Sequence, residues 1–198
     1  MLVGVAAIGV AVLLFGAYSA ASAPLPEGFP PPNSDGQIEI KHYPQYRAAT
    51  IQMTGKLEFA ASRGFTPLFR HISNNDISMT APVETRYPVA TLERDTAQDG
   101  EAAVSFLYRS LDTVPQEVAQ GIQIEDIPPM TVVSIGTRGR YNLKTYQASI
   151  ERLQAWLVEH PEYEVMGQPR RFLYDGPFLP DAVKRSDIQI PVQAVANP

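Results

Sequence analysis

Ile38-Glu-Ile-Lys-His-Tyr-Pro-Gln-Tyr-Arg-Ala-Ala-Thr-Ile-Gln-Met-Thr-Gly55 has a second copy in the chain, Ile122-Gln-Ile-Glu-Asp-Ile-Pro-Pro-Met-Thr-Val-Val-Ser-Ile-Gly-Thr-Arg-Gly139. With a shift of 84 positions and no gap, Ile38, Ile40, Pro44, Ile51 and Gly55 fall on Ile122, Ile124, Pro128, Ile135 and Gly139, and Thr50 meets Ser134. The apolar residues in each copy alternate as they do in a half-buried strand.

The segments downstream of the two copies also match in pattern. After Gly55 comes an apolar stripe of Leu57, Ala61, Phe65, Leu68 and Ile72, with Phe69 alongside. After Gly139 comes another, of Leu143, Tyr146, Ile150, Leu153 and Leu157. Both have the spacing of an amphipathic helix, and Gly64 and Pro67 are expected to kink or divide the first. Two extended segments come after each helix, Val83–Val89 and Ala103–Ser110 in the first half, Arg170–Tyr174 and Asp187–Val192 in the second. Residues 93–101 are expected to form a polar hairpin loop. The order is strand, helix, strand, strand, twice. It predicts an α+β fold in which the duplicated unit forms a distorted antiparallel β-barrel flanked by two helices. The concavity between sheet and helices is the expected ligand site.

The flanks differ from this domain. Residues 1–23 carry no charged side chain, and Leu2–Tyr18 is almost unbroken apolar and small. Ala21-Ser22-Ala23 has the small-x-small form of a cleavage site. This segment is expected to be a signal peptide or an N-terminal membrane anchor, with the domain exported to the periplasm or tethered to the membrane. Pro24–Gly36 holds five prolines in 13 residues, which predicts a semi-extended linker. The folded domain is then expected over 37–198.

Between the first helix and the next strand lies Ser78-Met-Thr-Ala-Pro-Val-Glu-Thr-Arg-Tyr87. Pro82 lacks a backbone donor and biases Ala81 toward an extended conformation, which predicts the lead-in to an edge strand. Met79–Val83 also resembles the signature of the SOUL, or haem-binding-protein, family. Ile38–Pro44 resembles that family's first strand. Gly64-Phe65, Leu68, Ile72 and Asn75 resemble its first helix. Tyr174-Asp-Gly-Pro177 and Lys184–Ile188 resemble its C-terminal run, where Lys-Arg-Ser-Asp-Ile stands in place of Arg-Arg-Asn-Glu-Val. The resemblance covers about residues 37–193. It implies the same duplicated α+β barrel, which is also similar to the gyrase-inhibitor-like effector-binding domains.

The resemblance further implies reversible, non-covalent binding of haem or another tetrapyrrole. His42 matches the family's proposed axial ligand and shares a strand face with Ile38 and Ile40, so it is the expected iron ligand. Met53, Phe59, Phe65 and Phe69 are the expected groove residues. Arg63 is the expected propionate partner, with Arg47, Lys56 and Lys144 as further cations. His71 and His160 fall near helix C-termini, where an imidazolium complements the helix dipole.

Other classes are narrowed by composition. The chain has no cysteine, so disulfides, thiolate catalysis and covalent c-type haem attachment are excluded. A net charge of −5 without a basic run argues against a nucleic-acid partner. No hydrolase, zinc-protease or nucleotide-binding motif occurs. Two alternatives stand beside haem. One is an effector-binding module for another planar or cationic ligand. The other is a hydrolase using Glu84 at a pocket mouth. A monomer is the default, since no heptad repeat is present.

Overall fold

Pro44 and Pro128 split each copy of the repeat into two strands, because each lies where a strand ladder would need its missing donor. The computed structural model describes residues 23–92, 98–176 and 178–195. In the first half β1 is Ile38–Tyr43, β2 Tyr46–Lys56, α1 Ala60–Asn74, β3 Val83–Arg86 and β4 Asp99–Leu107. In the second half β5 is Ile122–Ile127, β6 Met130–Arg138, α2 Leu143–Glu159, β7 Tyr163–Val165, β8 Arg170–Leu173 and β9 Arg185–Ala194. The first strand of each copy pairs with the second strand of the other: Ile38 opposes Ile135, and Tyr46 opposes Ile127.

The strand order is β1-β6-β9-β8-β3-β4-β2-β5, with β7 added on β9. Read from either end, the order is the same once the halves are exchanged, so a pseudo-twofold axis lies between β3 and β8. The α+β class and the duplication are as expected. The barrel is a loose description, since the sheet is open and its path ends at β1 and β5. The strand after Pro82 is not at an edge. β3 lies between β8 and β4 at the sheet's centre, and Pro82 precedes it, so no ladder bond is lost. Of the expected hairpin loop, 93–97 lie outside the described residues, and β4 already begins at Asp99.

Both helices pack on one face of the sheet. Leu68 and Ile72 of α1 and Tyr146, Ile150 and Leu153 of α2 are buried with Val104, Val133, Ile135, Ile188 and Ile190. The space between sheet and helices is therefore filled by side chains. Asn142 caps α2, its side chain accepting from Thr145 N at 2.8 Å. Helix α1 is one unbroken element despite Pro67. Gly64 is what lets it lie close to the sheet, because a Cβ there would meet Val104 Cβ at 2.8 Å. Gly64→Ala should therefore cost about 1–3 kcal/mol through overpacking, despite alanine's better helix propensity. Chemical denaturation would show it, and an unchanged midpoint would mean that α1 shifts freely.

Residues 23–36 are not a spacer. They cross the opposite face of the sheet as a strap. Phe29 packs edge-on against Tyr43 and Tyr46, at 4.9 and 5.2 Å between ring centroids, and stacks on Phe172 at 6.2 Å. Glu27 N donates to Arg109 O, Ala81 N to Pro24 O and Gly36 N to Gly136 O. Where the strap crosses β6 a glycine is required, since a Cβ on Gly136 would collide with Ser34 O and stand 2.7 Å from Asn33 Cβ. Prolines hold this segment extended as composition predicts, but its apolar side chains dock it. The expected domain start at Gln37 is thus corrected to include the strap. The signal-peptide or anchor segment lies, up to residue 22, outside the described residues.

Candidate functional site

The face that the strap crosses carries buried Lys41, Glu84, Arg170 and Asp187. Glu84 is 0 % exposed. Arg170, on the adjacent strand β8 two residues from Phe172, which opposes Glu84, donates from Nη1 to Glu84 Oε1 at 3.1 Å and to Tyr46 Oη at 2.9 Å. Tyr46 Oη donates to the same carboxylate at 3.1 Å. The guanidinium also lies over the rings of Tyr43 and Phe172, at 4.9 and 4.5 Å. Burial raises the Tyr43 and Tyr46 phenols well above their ordinary value, so both stay neutral. Glu84 is therefore not at a pocket mouth. Its charge is neutralised within the protein by Arg170. A second pair, Lys41 Nζ to Asp187 Oδ2 at 3.0 Å, is buried under the strap, where Lys41 also donates to Pro31 O. Burial pushes Asp187 above the usual carboxylate range although Lys41 pulls the other way.

The apolar opening lies elsewhere. A groove of about 310 Å³ runs between the start of α1 and the central strands. One wall is Glu58, Ala61, Ser62 and Phe65; the floor is Thr80, Ala81 and Val83 of the signature stretch. The opposite wall is Leu173 to Gly176, with Tyr141 and Lys184 at the rim. The tyrosine hydroxyls are engaged outward. Tyr141 donates to Arg185 O at 2.7 Å, and Tyr174 to Asp187 at 3.0 Å. Both residues line the groove, and the Tyr141 ring already carries Arg171 and Lys184 against it, at 5.1 and 5.5 Å. Lys184 Nζ sits 2.8 Å from Asp181, which also takes Arg140 Nε at 3.0 Å. Two cations share one carboxylate there, so this rim is net positive. Asp175, on the same wall, is already paired with Arg185 at 2.8 Å.

The residues expected to form one site are divided. Phe65 lines the groove and Phe69 stacks behind it, 5.9 Å away and 11° from parallel. Met53 packs into the core on the helix side of the sheet. Phe59 is exposed beside the groove-lining Glu58. Arg63 turns away, donating to Lys56 O at 3.2 Å. Arg47 makes a bidentate surface pair with Asp126, at 2.6 and 2.8 Å.

His42 lies at the far end of the molecule from this groove. It does share the face of Ile38 and Ile40, but the core that covers those residues has ended by position 42. Its ring is exposed and Nδ1 lies 2.9 Å from Thr131 Oγ1. It borders a separate shallow concavity with Met130, Met166 and Val192. Arg185, next to Lys184, and Val192 are seven steps apart along β9, about 23 Å at strand rise. A single macrocycle cannot sit in the groove and take His42 as a ligand.

The other histidines are structural, one of them for a different reason than expected. His71 is buried, with Nε2 2.9 Å from Tyr108 Oη, and burial lowers its pKa, so it is a neutral core residue and not a dipole partner. His160 stands at the C-cap of α2, stacked on Trp156 at 3.6 Å. Among the described residues no cluster of three His, Cys, Asp or Glu is placed to hold a metal ion. Sequence reasoning passed over Ala81, Leu173, Tyr174 and Lys184 as groove residues. The signal for them was that the signature and the C-terminal run, both singled out as motifs, meet across one opening.

The chain belongs to the SOUL haem-binding family. The family model described as "SOUL heme-binding protein" matches residues 31–191, nearly the whole domain. No curated protein sequence matches the chain. Among solved structures, the C-terminal domain of EcmrR is similar, with a TM-score of 0.66 and 18 % identity over 81 % of this chain and 99 % of that one. A hydrolase from Listeria innocua is similar with a TM-score of 0.58 and 9 % identity, over 80 % of this chain and 93 % of that one. At such identities the likeness is one of fold.

Proposed function

We propose that the groove beside α1 binds haem or a related tetrapyrrole non-covalently, in a domain that is exported or tethered to a membrane. The observation that carries this reading is the groove itself, which has apolar and aromatic walls and one net-positive rim. A planar, apolar ring bearing carboxylates at one edge fits that chemistry. Phe65, Leu173 and the Tyr141 and Tyr174 rings would flank the macrocycle, and Lys184 and Arg140 would face its propionates. A bound haem would bring an iron centre, and the residues that would hold the ring are Phe65, Leu173, Tyr141 and Tyr174, with no histidine among the groove's lining residues.

Affinity does not need a ligating side chain. Haem has about 40 heavy atoms, and at about −0.3 kcal/mol per atom full burial supplies about −12 kcal/mol. The groove is open, so part of the ring stays in water and the realised value is smaller. The alternative effector module would use the same opening for another planar ligand. The hydrolytic alternative loses its support, because the carboxylate it invoked is buried and paired.

Titration of the chain with haemin tests the proposal. Saturable one-to-one uptake with a shifted absorbance maximum is expected. Linear uptake without saturation would overturn it.

A further inference from the structure

The groove and the apolar N-terminal segment meet at one point. The described chain begins at Ala23, and Pro24 O accepts a hydrogen bond from Ala81 N at 3.0 Å. Ala81 is part of the groove floor. The apolar run ends at Tyr18, and the five steps from there to Ala23 reach at most about 17 Å when fully extended. That is about half the width of a domain of this size. If Leu2–Tyr18 enters a bilayer, the side of the domain bearing the groove cannot turn away from it.

The surface around the groove suits such a neighbour. Among the exposed large apolar side chains of the described residues, the two aromatic ones are Phe59, at 49 % exposure, and Phe178, at 63 %. Phe59 follows the groove-lining Glu58, and Phe178 follows the wall that ends at Gly176. Exposed Val183 precedes Lys184 on the same rim. These apolar side chains border the Arg140–Asp181–Lys184 cluster, which has one cation in excess, with Glu58 beside Phe59, and such a mixed apolar and charged rim can settle into the headgroup and acyl boundary.

From this we infer that the groove mouth is a membrane-docking surface. Phe59, Phe178 and Val183 rest in the lipid interface, and the groove opens onto the bilayer. An apolar ligand then passes between membrane and groove without crossing water. The docking stands on the rim and the junction, and the ligand exchange rests on the haem-type reading above.

The chain has no cysteine, so single-cysteine labelling is unambiguous. Full-length Phe178→Cys, Val183→Cys and Val158→Cys proteins would carry a polarity-sensitive fluorophore. They would be reconstituted into phosphatidylcholine–phosphatidylglycerol vesicles, with and without nitroxide-labelled lipid. Val158 is 82 % exposed and lies about 22 Å along α2 from that helix's groove end. Blue-shifted emission, quenched by nitroxide lipid, is expected at 178 and 183 and not at 158. Equal behaviour at all three positions would overturn the inference. Shielding of 178 and 183 before vesicles are added would also overturn it, in favour of residues 1–22 folding over the groove. Haemin is absent from this measurement, so its failure is distinct from a failure of the haem reading.

Discussion

Arg170→Met is expected to remove about 3–5 kcal/mol of folding stability, the range seen when one member of a buried ion pair is deleted. Arg170 and Glu84 lie on adjacent central strands, with side chains 2 % and 0 % exposed. Without the guanidinium, Glu84 keeps the Tyr46 hydroxyl but has lost its adjacent charge partner. The stacked contacts over Tyr43 and Phe172 are lost as well. The penalty comes mostly from the stranded carboxylate and not from a net gain of the pair, so Glu84→Gln added to Arg170→Met should recover much of the loss. Urea denaturation of the two variants is the check. A loss below about 1 kcal/mol in Arg170→Met would mean that Glu84 reaches water or another cation.

Removal of the strap is the second large effect. A chain starting at Gln37 loses Phe29 from a ring cluster with Tyr43, Tyr46 and Phe172, and Leu25 from the same cluster. It also uncovers the Lys41–Asp187 pair, to which Asn33 N and Pro31 O contribute hydrogen bonds. Truncation of a buried Phe side chain alone typically costs about 3–5 kcal/mol, and Phe29 is only partly buried, so its share lies near the lower end. With the lost Leu25 and backbone bonds the total should still exceed about 3 kcal/mol. Thermal unfolding of the truncated and full chains measures it. Equal midpoints would show that the strap merely rests on the sheet.

The legible part of the fold was the repeat. The shared isoleucines and prolines of residues 38–55 and 122–139, with the stripe after each, were enough for two α+β units. They did not show that β1 pairs with β6 and β5 with β2, because exchange between copies leaves the same alternation in both. Nor did they show the charged face under the strap. Lys41 lies between Ile40 and His42, Glu84 between Val83 and Thr85 and Arg170 between Pro169 and Arg171, and such local patterns do not mark a buried charge. The three residues are buried because strands distant in sequence bring each to its partner and the strap covers part of that face. Phe29 and Leu25 within the proline-rich segment were the available sign that it docks.

The candidate site was partly legible. Phe65 and the signature stretch were recognised, and both belong to the groove. His42 was placed on the correct strand face, but period-two counting carries no information about where along a strand the cover ends. Lys184 and Tyr174 were noticed only as parts of a motif. Their approach to α1 depends on β3 and β8 pairing at the pseudo-twofold axis, which local sequence does not state.

The most direct test of where the ligand binds is a pair of haemin titrations, of Ala61→Trp and His42→Ala. An indole at Ala61 fills the groove from α1, so at least about a hundredfold loss of affinity is expected, equivalent to about 2.7 kcal/mol. His42→Ala should bind with unchanged affinity and an unchanged spectrum. The reverse pattern, with binding lost in His42→Ala and kept in Ala61→Trp, would contradict the groove and move the site to the exposed end of β1.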